Sequence, residues 1–201
     1  MAILIHEAFK LGLINRDILE HIPLACDYCD KDIYVSESIY QIFCDNRICA
    51  GRLISRLKEM LTLLGTCNYE EDFLLKIVKD FNMRSSYQIF MLKAEVCEKY
   101  GDKKLIELNE LINKEINKRR QLWEVVRLGC IPYVSSVALE IFKDYTDITE
   151  VFEEIERSQV MYVINKIGID YENGILVAVF IYNKLLEYKS ELILGSKLLV
   201  K

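Results

Sequence analysis

Seven cysteines occur in the chain, and four of them cluster as Cys26-Asp-Tyr-Cys29, fourteen intervening residues, and Cys44-Asp-Asn-Arg-Ile-Cys49. Two close pairs separated by a hairpin-sized insert are what tetrahedral zinc requires. Each pair spans adjacent corners of the tetrahedron, and the insert returns the second pair to the first. Four thiolates close the coordination shell, so the expected cofactor is a structural Zn2+ with no open position for water or substrate. Buried thiols without metal are the alternative, but they have no reason to pair at this spacing. Cys67, Cys97 and Cys130 stand in helical-looking contexts and read as small core residues. His21 lies five residues before Cys26, yet four thiols suffice, so His21 and His6 read as surface or capping side chains. There is no Ser-His-Asp set, no glycine-rich phosphate loop and no carboxylate pair in a catalytic context. Trp123 stands at helical spacing with Val126 and Arg127 and reads as a core residue.

The elements that must position these groups fit a chain of 201 residues, enough for one compact domain or two small ones. A net charge of −5 excludes a uniformly basic nucleic-acid binder but leaves room for a local basic face. Hydrophobic content of 52% against 28% charged excludes a disordered polyelectrolyte, and two Pro with eight Gly favour helices. The start MAILIHEAFK lacks a basic segment followed by an apolar one, and an odd cysteine count suits a disulfide framework poorly. The expectation is a reducing, cytoplasmic compartment. The longest apolar run, Ile175 to Tyr182, is eight residues against the roughly 20 of a spanning helix, so no membrane partner is expected.

Periodicity gives a mainly α fold. Residues 1–22 read as a helical lead, residues 23–52 as the four-cysteine zinc knuckle with a short strand over Asp32 to Ser36, and residues 53–201 as a helical domain. Leu53, Leu57, Met60, Leu61 and Leu64 repeat at three or four until Gly65 stops the helix. Further helices are expected over Asp72–Phe81, Ser86–Leu92, Glu95–Tyr100, Lys103–Leu128 as the longest, Ser135–Tyr145, Ile148–Glu156, Val160–Lys166 and Gly174 to about Leu194. Short helices joined by tight turns suggest helical hairpins.

This order resembles the zinc-finger and helix-hairpin-helix region of bacterial NAD-dependent DNA ligases. The knuckle is similar in pair spacing and in the basic segment after it, Cys49-Ala-Gly-Arg52. Asn109-Glu-Leu-Ile through Lys118, then Leu122 and Ile131-Pro-Tyr-Val134, follow the family's helix into its most recognisable hairpin. Ala138 to Thr149 continues the similarity more loosely, and Lys166-Ile-Gly168 with Glu172 and Gly174-Ile175 resembles the next hairpin. Gln88-Ile-Phe-Met-Leu92 sits where the family has Asp-Leu-Tyr-x-Leu, and the resemblance covers roughly residues 22–185. The Lys-x-Asp-Gly motif that takes up AMP in such ligases is missing, and no barrel or further domain is expected at either end. The resemblance therefore implies the DNA-clamping part without the nucleotidyltransferase and oligonucleotide-binding domains: no enzyme by itself, and no NAD bound.

A helix-hairpin-helix grips phosphates with the backbone N–H groups of its turn. Where the family reads Leu-Gly-Ile-x-x-Val-Gly, this chain reads Gly129-Cys-Ile-Pro-Tyr-Val-Ser135. The first glycine is displaced by one position and the second is replaced by serine, which suggests a hairpin built for packing. From Asp144 to Gly174 eight acidic residues face only Arg157 and Lys166, which repels a phosphate backbone. Basic residues gather instead at Arg47, Arg52, Arg56 and Lys58, and again at Lys118, Arg119, Arg120 and Arg127. The residues expected at DNA are Arg47, Arg52, Arg56, Lys118, Arg119 and Arg120, together with Ile131, Tyr133, Ser135, Lys166 and Gly168 at the two hairpins. Two functions compete. The first is a DNA-binding accessory protein meeting nicked or branched double-stranded DNA, as the second chain of a split ligase beside a nucleotidyltransferase partner in repair or replication. The second is a repurposed fragment that binds a protein as regulator or decoy. The Ile-, Lys- and Asn-rich, Ala-poor vocabulary suggests an AT-rich coding source and fits a viral protein. A catalytic zinc enzyme is the weakest reading, because a closed thiolate shell is the wrong ligand set.

Overall fold

A computed structural model describes residues 2–12, 14, 16–36, 42–44, 46, 48–66, 69–93, 97, 102–168 and 171–200. Their contacts divide the chain into two units, Met1–Ser55 with Tyr69–Arg84, and Arg56–Asn68 with Ser85–Lys201.

Unit 1 contains a small antiparallel sheet in the order β1 (Ala2–Leu4), β2 (Ile33–Ser36), β3 (Ile42–Cys44). Leu4 faces Tyr34 and Ile33 faces Cys44 across the ladders. The helical lead expected over residues 1–22 does contain α1 (Ile5–Lys10) and α2 (Arg16–His21), but its first residues pair with the knuckle strand. A strand needs an edge to bond to, and that edge is supplied from 30 residues away, where local periodicity cannot see it. Along β2 the buried Ile33 and Val35 flank the half-buried Tyr34, the alternation of a one-sided sheet. Ile5 and Ala8 of α1 pack with Ile33 and Val35 and with the sulfurs of the knuckle. α3 (Ala50–Leu63) starts directly after Cys49, and α4 (Glu71–Asp80) buries Leu74, Ile77 and Val78 at helical spacing. Gly65, at φ 87°, ends the α3 turn as Thr66 N donates to Leu61 O.

Unit 2 is helical. A 3-10 turn over Ser86–Met91 is capped by Ser85, whose hydroxyl accepts from Tyr87 N while Gln88 accepts from Ser85 N. There follow α5 (Lys103–Ile116), α6 (Leu122–Leu128), a 3-10 turn Ser135–Val137 and α7 (Ala138–Phe142). The chain continues through α8 (Ile148–Ser158), α9 (Val160–Ile167), α10 (Tyr171–Glu187) and α11 (Lys189–Leu199). Helix α6 packs on α7 and α9 on α10 as hairpins, while α11 lies against both α6 and α8. Phe142, Phe152, Tyr162, Ile181, Leu185 and Tyr188 share one core. The helix expected over Glu95–Tyr100 lies largely outside the described residues.

The single helix expected over Lys103–Leu128 is two. Asn117 closes α5, Gln121 N donates to Glu124 Oε2 at 2.7 Å to start α6, and Arg120 reaches Val200 in an isolated bridge. Charged residues between two apolar faces look like a solvated helical turn in sequence, but here Lys118 and Arg120 bond back to Glu115 and Gln121 pairs with Glu124, while Arg119 stays exposed.

Tyr87 is fully buried and donates to Val125 O at 2.8 Å. Its ring occupies the space beside Gly129 and Gly195, where a Cβ would lie 2.4 and 2.5 Å from it. Gly129 has an ordinary helical φ of −62°, so it is glycine for proximity and not for backbone freedom. Left-handed φ falls instead on Cys130 (49°) and Tyr133 (66°).

Asp147 caps α8 by accepting from Thr149 N at 2.8 Å. That backbone bond, followed by the Thr149 side chain, holds its carboxyl below the usual carboxylate range. A depressed carboxyl stabilises the fold above its unfolded-state pKa and loses that contribution as pH falls through its folded value. Asp147→Ala should therefore lower the melting temperature near neutral pH, and the gap from wild type should close as pH falls below the ordinary carboxylate range. A gap that persists at acid pH in calorimetry would show that the carboxylate cap is not its source.

Candidate metal centre and basic groove

The sulfurs of Cys26, Cys29, Cys44 and Cys49 all lie within 4.8 Å of one another, the geometry of a metal-holding cluster. The closest approaches run between the sequence pairs: Cys26 to Cys49 and Cys29 to Cys44, each 3.5 Å. Sulfurs at about 2.3 Å from a central tetrahedral zinc would be about 3.8 Å apart, so the cage needs little adjustment to close on such an ion. His6 and His21 are exposed and outside the cluster, and His21 Nδ1 lies 2.6 Å from Asp17 O.

Local backbone chemistry sets each ligand. Cys26 O accepts from Cys29 N and Asp30 N, Cys26 N donates to Lys31 O, and Asp30 takes φ 53° to turn the chain. On the other side Asn46 accepts from Ile48 N with its side chain and from Cys49 N with its carbonyl, while Cys49 O opens α3 by accepting from Leu53 N. Arg52 Nη1 donates to Cys44 O at 3.2 Å and holds the second pair against the helix. Burial pushes the Cys44 thiol up to about 12, and neighbouring sulfurs add to this. Burial likewise raises Cys49. It acts on Cys29 too, but bonds from the Asn46 side chain, Lys31 and the adjacent thiols outweigh it and bring Cys29 to about 7. Cys97 and Cys130 are buried apart from the cluster, and Cys67 lies outside the described residues. Cys130 is pushed up to about 12, mainly by burial, which keeps it a neutral thiol.

The basic residues fare unequally. Arg47 lies outside the described residues. Arg56, expected at a phosphate, is instead buried in unit 2: it donates to Gly129 O, Ser86 Oγ and Glu191, and its guanidinium sits over the Tyr188 ring. It stands between Leu53 and Met60 at helical spacing, the sequence sign that it belongs to the apolar face. Arg120 is folded back onto the carboxylate and carbonyl of Glu115. Lys118 shares that same buried carboxylate but keeps half of its side chain exposed. Arg119 is exposed and, among the described residues, makes no ion pair.

At the first hairpin Ile131 is fully buried, and Tyr133 meets Phe180 edge-on with ring centroids 4.7 Å apart. Gly129 N and Cys130 N donate to Val126 O and Arg127 O of the last turn of α6, Ser135 N donates to Ile131 O, and Ser135 is not among the positive-φ residues. This hairpin is packed inward. At the second, Gly168 (φ 64°) ends α9, while Lys166 pairs with Asp144 at 2.9 Å and lies over the Tyr145 ring.

Tertiary structure gathers another set. Two adjoining grooves in unit 2, of about 440 and 750 Å³, share Arg119, Arg120, Trp123 and Glu124 as lining. Lys118, Glu115 and Arg127 complete the polar wall of the first, and Lys143 and Tyr145 contribute to the second. One carboxylate, Glu115, serves both Lys118 and Arg120, and Glu124 is the remaining acid of the lining. Arg119, Arg127 and Lys143 are exposed without an ion pair among the described residues, which leaves the walls with positive charge. Sequence reading did not single out Lys143, because nothing local relates it to Trp123.

Among the described residues no helix is long and apolar enough to cross a membrane. Comparison with protein-family models, curated proteins and solved structures finds no match for the chain.

Proposed function

We propose that the protein is a non-catalytic DNA-binding accessory chain, with a structural Zn2+ held by Cys26, Cys29, Cys44 and Cys49, and that it meets DNA on the grooves of unit 2. The donor set supports zinc: four cysteine sulfurs in a compact cage suit a tetrahedral, borderline-soft cation and leave no site for substrate. One observation carries the DNA reading, namely that Arg119, Arg127 and Lys143 make no ion pair among the described residues and line grooves shared with Trp123 in a chain that is acidic overall. The hairpin turns contribute packing, so phosphate contact shifts from backbone amides to these side chains. The order of knuckle and hairpins, which resembles the DNA-clamping part of NAD-dependent ligases, makes a place beside a separate nucleotidyltransferase chain the natural extension of this reading.

Binding that rests on three uncompensated cations has a definite salt dependence. With a log–log slope of about −0.9 per phosphate neutralised, affinity for nicked duplex should fall about 40-fold between 50 and 200 mM salt. Reversal of Arg119, Arg127 and Lys143 to Glu should abolish binding in fluorescence anisotropy while leaving the melting temperature in place. Absence of binding at 50 mM salt by the wild-type protein would defeat the reading. It would favour a protein partner, for which α10 offers exposed apolar side chains: Leu176 is 80%, Val177 47% and Phe180 40% exposed.

A further inference from the structure

Trp123 is the sole tryptophan of the chain. It is half-buried, packed on one part against the unit 2 core, and the remainder of the indole lines both grooves. Its N–H is satisfied by Gln121 Oε1. Tyr145, in the same groove, already carries Lys166 over its ring, and Tyr133 is engaged by Phe180. Among the described residues Trp123 has no aromatic or cationic partner on its ring. A large, polarizable surface with its polar atom satisfied therefore sits between Arg119, Arg120 and Lys143.

We infer that Trp123 is a stacking platform for an unpaired base, and that the grooves select DNA containing a single-stranded segment over continuous duplex. This rests on the DNA reading above and names its substrate class. Sterics argue for it. An indole set into a groove cannot reach a base that is stacked and paired inside a duplex, whereas a base freed at a gap or flap can enter. A groove of about 750 Å³ is of the size that takes a nucleotide-sized ligand. Flanking phosphates then fall near the uncompensated cations, the combination of aromatic platform and basic walls by which single strands are held without sequence preference. Glu124, whose Oε2 accepts from Gln121 N at the helix start, is outnumbered by the cations of the groove walls.

Because no other tryptophan is present, intrinsic fluorescence reports this contact directly. Full-length protein is titrated with a continuous duplex, with the same duplex carrying a short gap, and with a single-stranded homopolymer, all at about 50 mM salt. The expected result is strong quenching by the gapped and single-stranded DNA, little by the continuous duplex, and roughly tenfold tighter binding of the gapped DNA. In Trp123→Leu, which keeps an apolar filler on the core, the ratio of gapped to continuous affinity should collapse towards one with secondary structure and melting temperature retained. Trp123→Phe should recover part of the preference. Salt-sensitive binding of all three DNAs without quenching or preference would overturn the stacking role and leave the DNA reading intact. Failure to bind any of them would overturn the DNA reading itself.

Discussion

Removing the proposed zinc from the Cys26–Cys29–Cys44–Cys49 cluster should unfold the knuckle and the three-stranded sheet of unit 1. The hydrophobic cluster beneath the knuckle contains Ile5, Ala8, Ile33 and Val35 as its buried residues other than cysteine; the rest of its buried members are Cys26, Cys44 and Cys49 themselves. A sheet of three short strands over so small a core lacks the apolar area to offset chain entropy unaided. Structural zinc sites of this ligand type carry on the order of 10 kcal/mol of binding free energy, and that energy is folding energy when the ligands are held together only in the native state. A strong chelator should therefore erase amide protection over β2 and the first turns of α3, and Cys44→Ala should do the same. The apparent metal affinity should weaken as pH falls, because the metal displaces thiol protons and burial holds Cys44 up at about 12. Purified protein containing no stoichiometric metal, or exchange unaltered by chelation, would refute the assignment.

The next largest loss is expected at Arg56. Its side chain is 8% exposed and that of Glu191 16%, with Nη2 2.9 Å from Oε2. The remaining donors are spent on Gly129 O at 3.0 Å and Ser86 Oγ at 3.1 Å, so the guanidinium ties α3, the 3-10 turn, the end of α6 and α11 into one network. Arg56→Met would strand a largely buried carboxylate and leave Ser86 Oγ and Gly129 O with only their mutual bond, a change that costs about 3–5 kcal/mol in comparable buried pairs. Arg56→Lys should recover little, since an ammonium cannot reproduce the fork of bonds. The double change Arg56→Met with Glu191→Met should be closer to wild type than Arg56→Met alone, because no charge is left unpaired. Urea denaturation measures all four proteins. A loss below about 1 kcal/mol for Arg56→Met would mean that solvent reaches the network and screens it.

Both results show where local sequence is informative. The knuckle ligands are legible because a metal cage is written in short spacings, and backbone turns at Asp30 and Asn46 close each half within a few residues. Most helices are legible from apolar repeats, as over α3, α4 and α8, where buried residues recur at three or four. Cations are not. Arg56 and Arg119 are both helix-forming, long and charged, yet one is buried beneath Glu191 and the other is exposed beside a groove. The difference lies in which face meets the core, and Glu115 repeats the lesson from the acidic side at 3% exposure between Lys118 and Arg120.

Glycine positions divide in the same way. Gly65 and Gly168 end helices in left-handed conformation, which their place after apolar repeats foreshadows. Gly129 and Gly195 are dictated by the Tyr87 ring, a contact made by residues far apart in the chain. The sequence by itself thus determined the four thiol ligands and the helical character of the remainder, since both depend on chemistry within a turn or two of chain. Only the tertiary structure decided that the first strand joins the knuckle sheet, that Arg56 is internal, and that Lys143 stands beside Trp123 and Arg119. Those outcomes depend on which surfaces are removed from water together, and burial is a property of the packed chain and not of its segments.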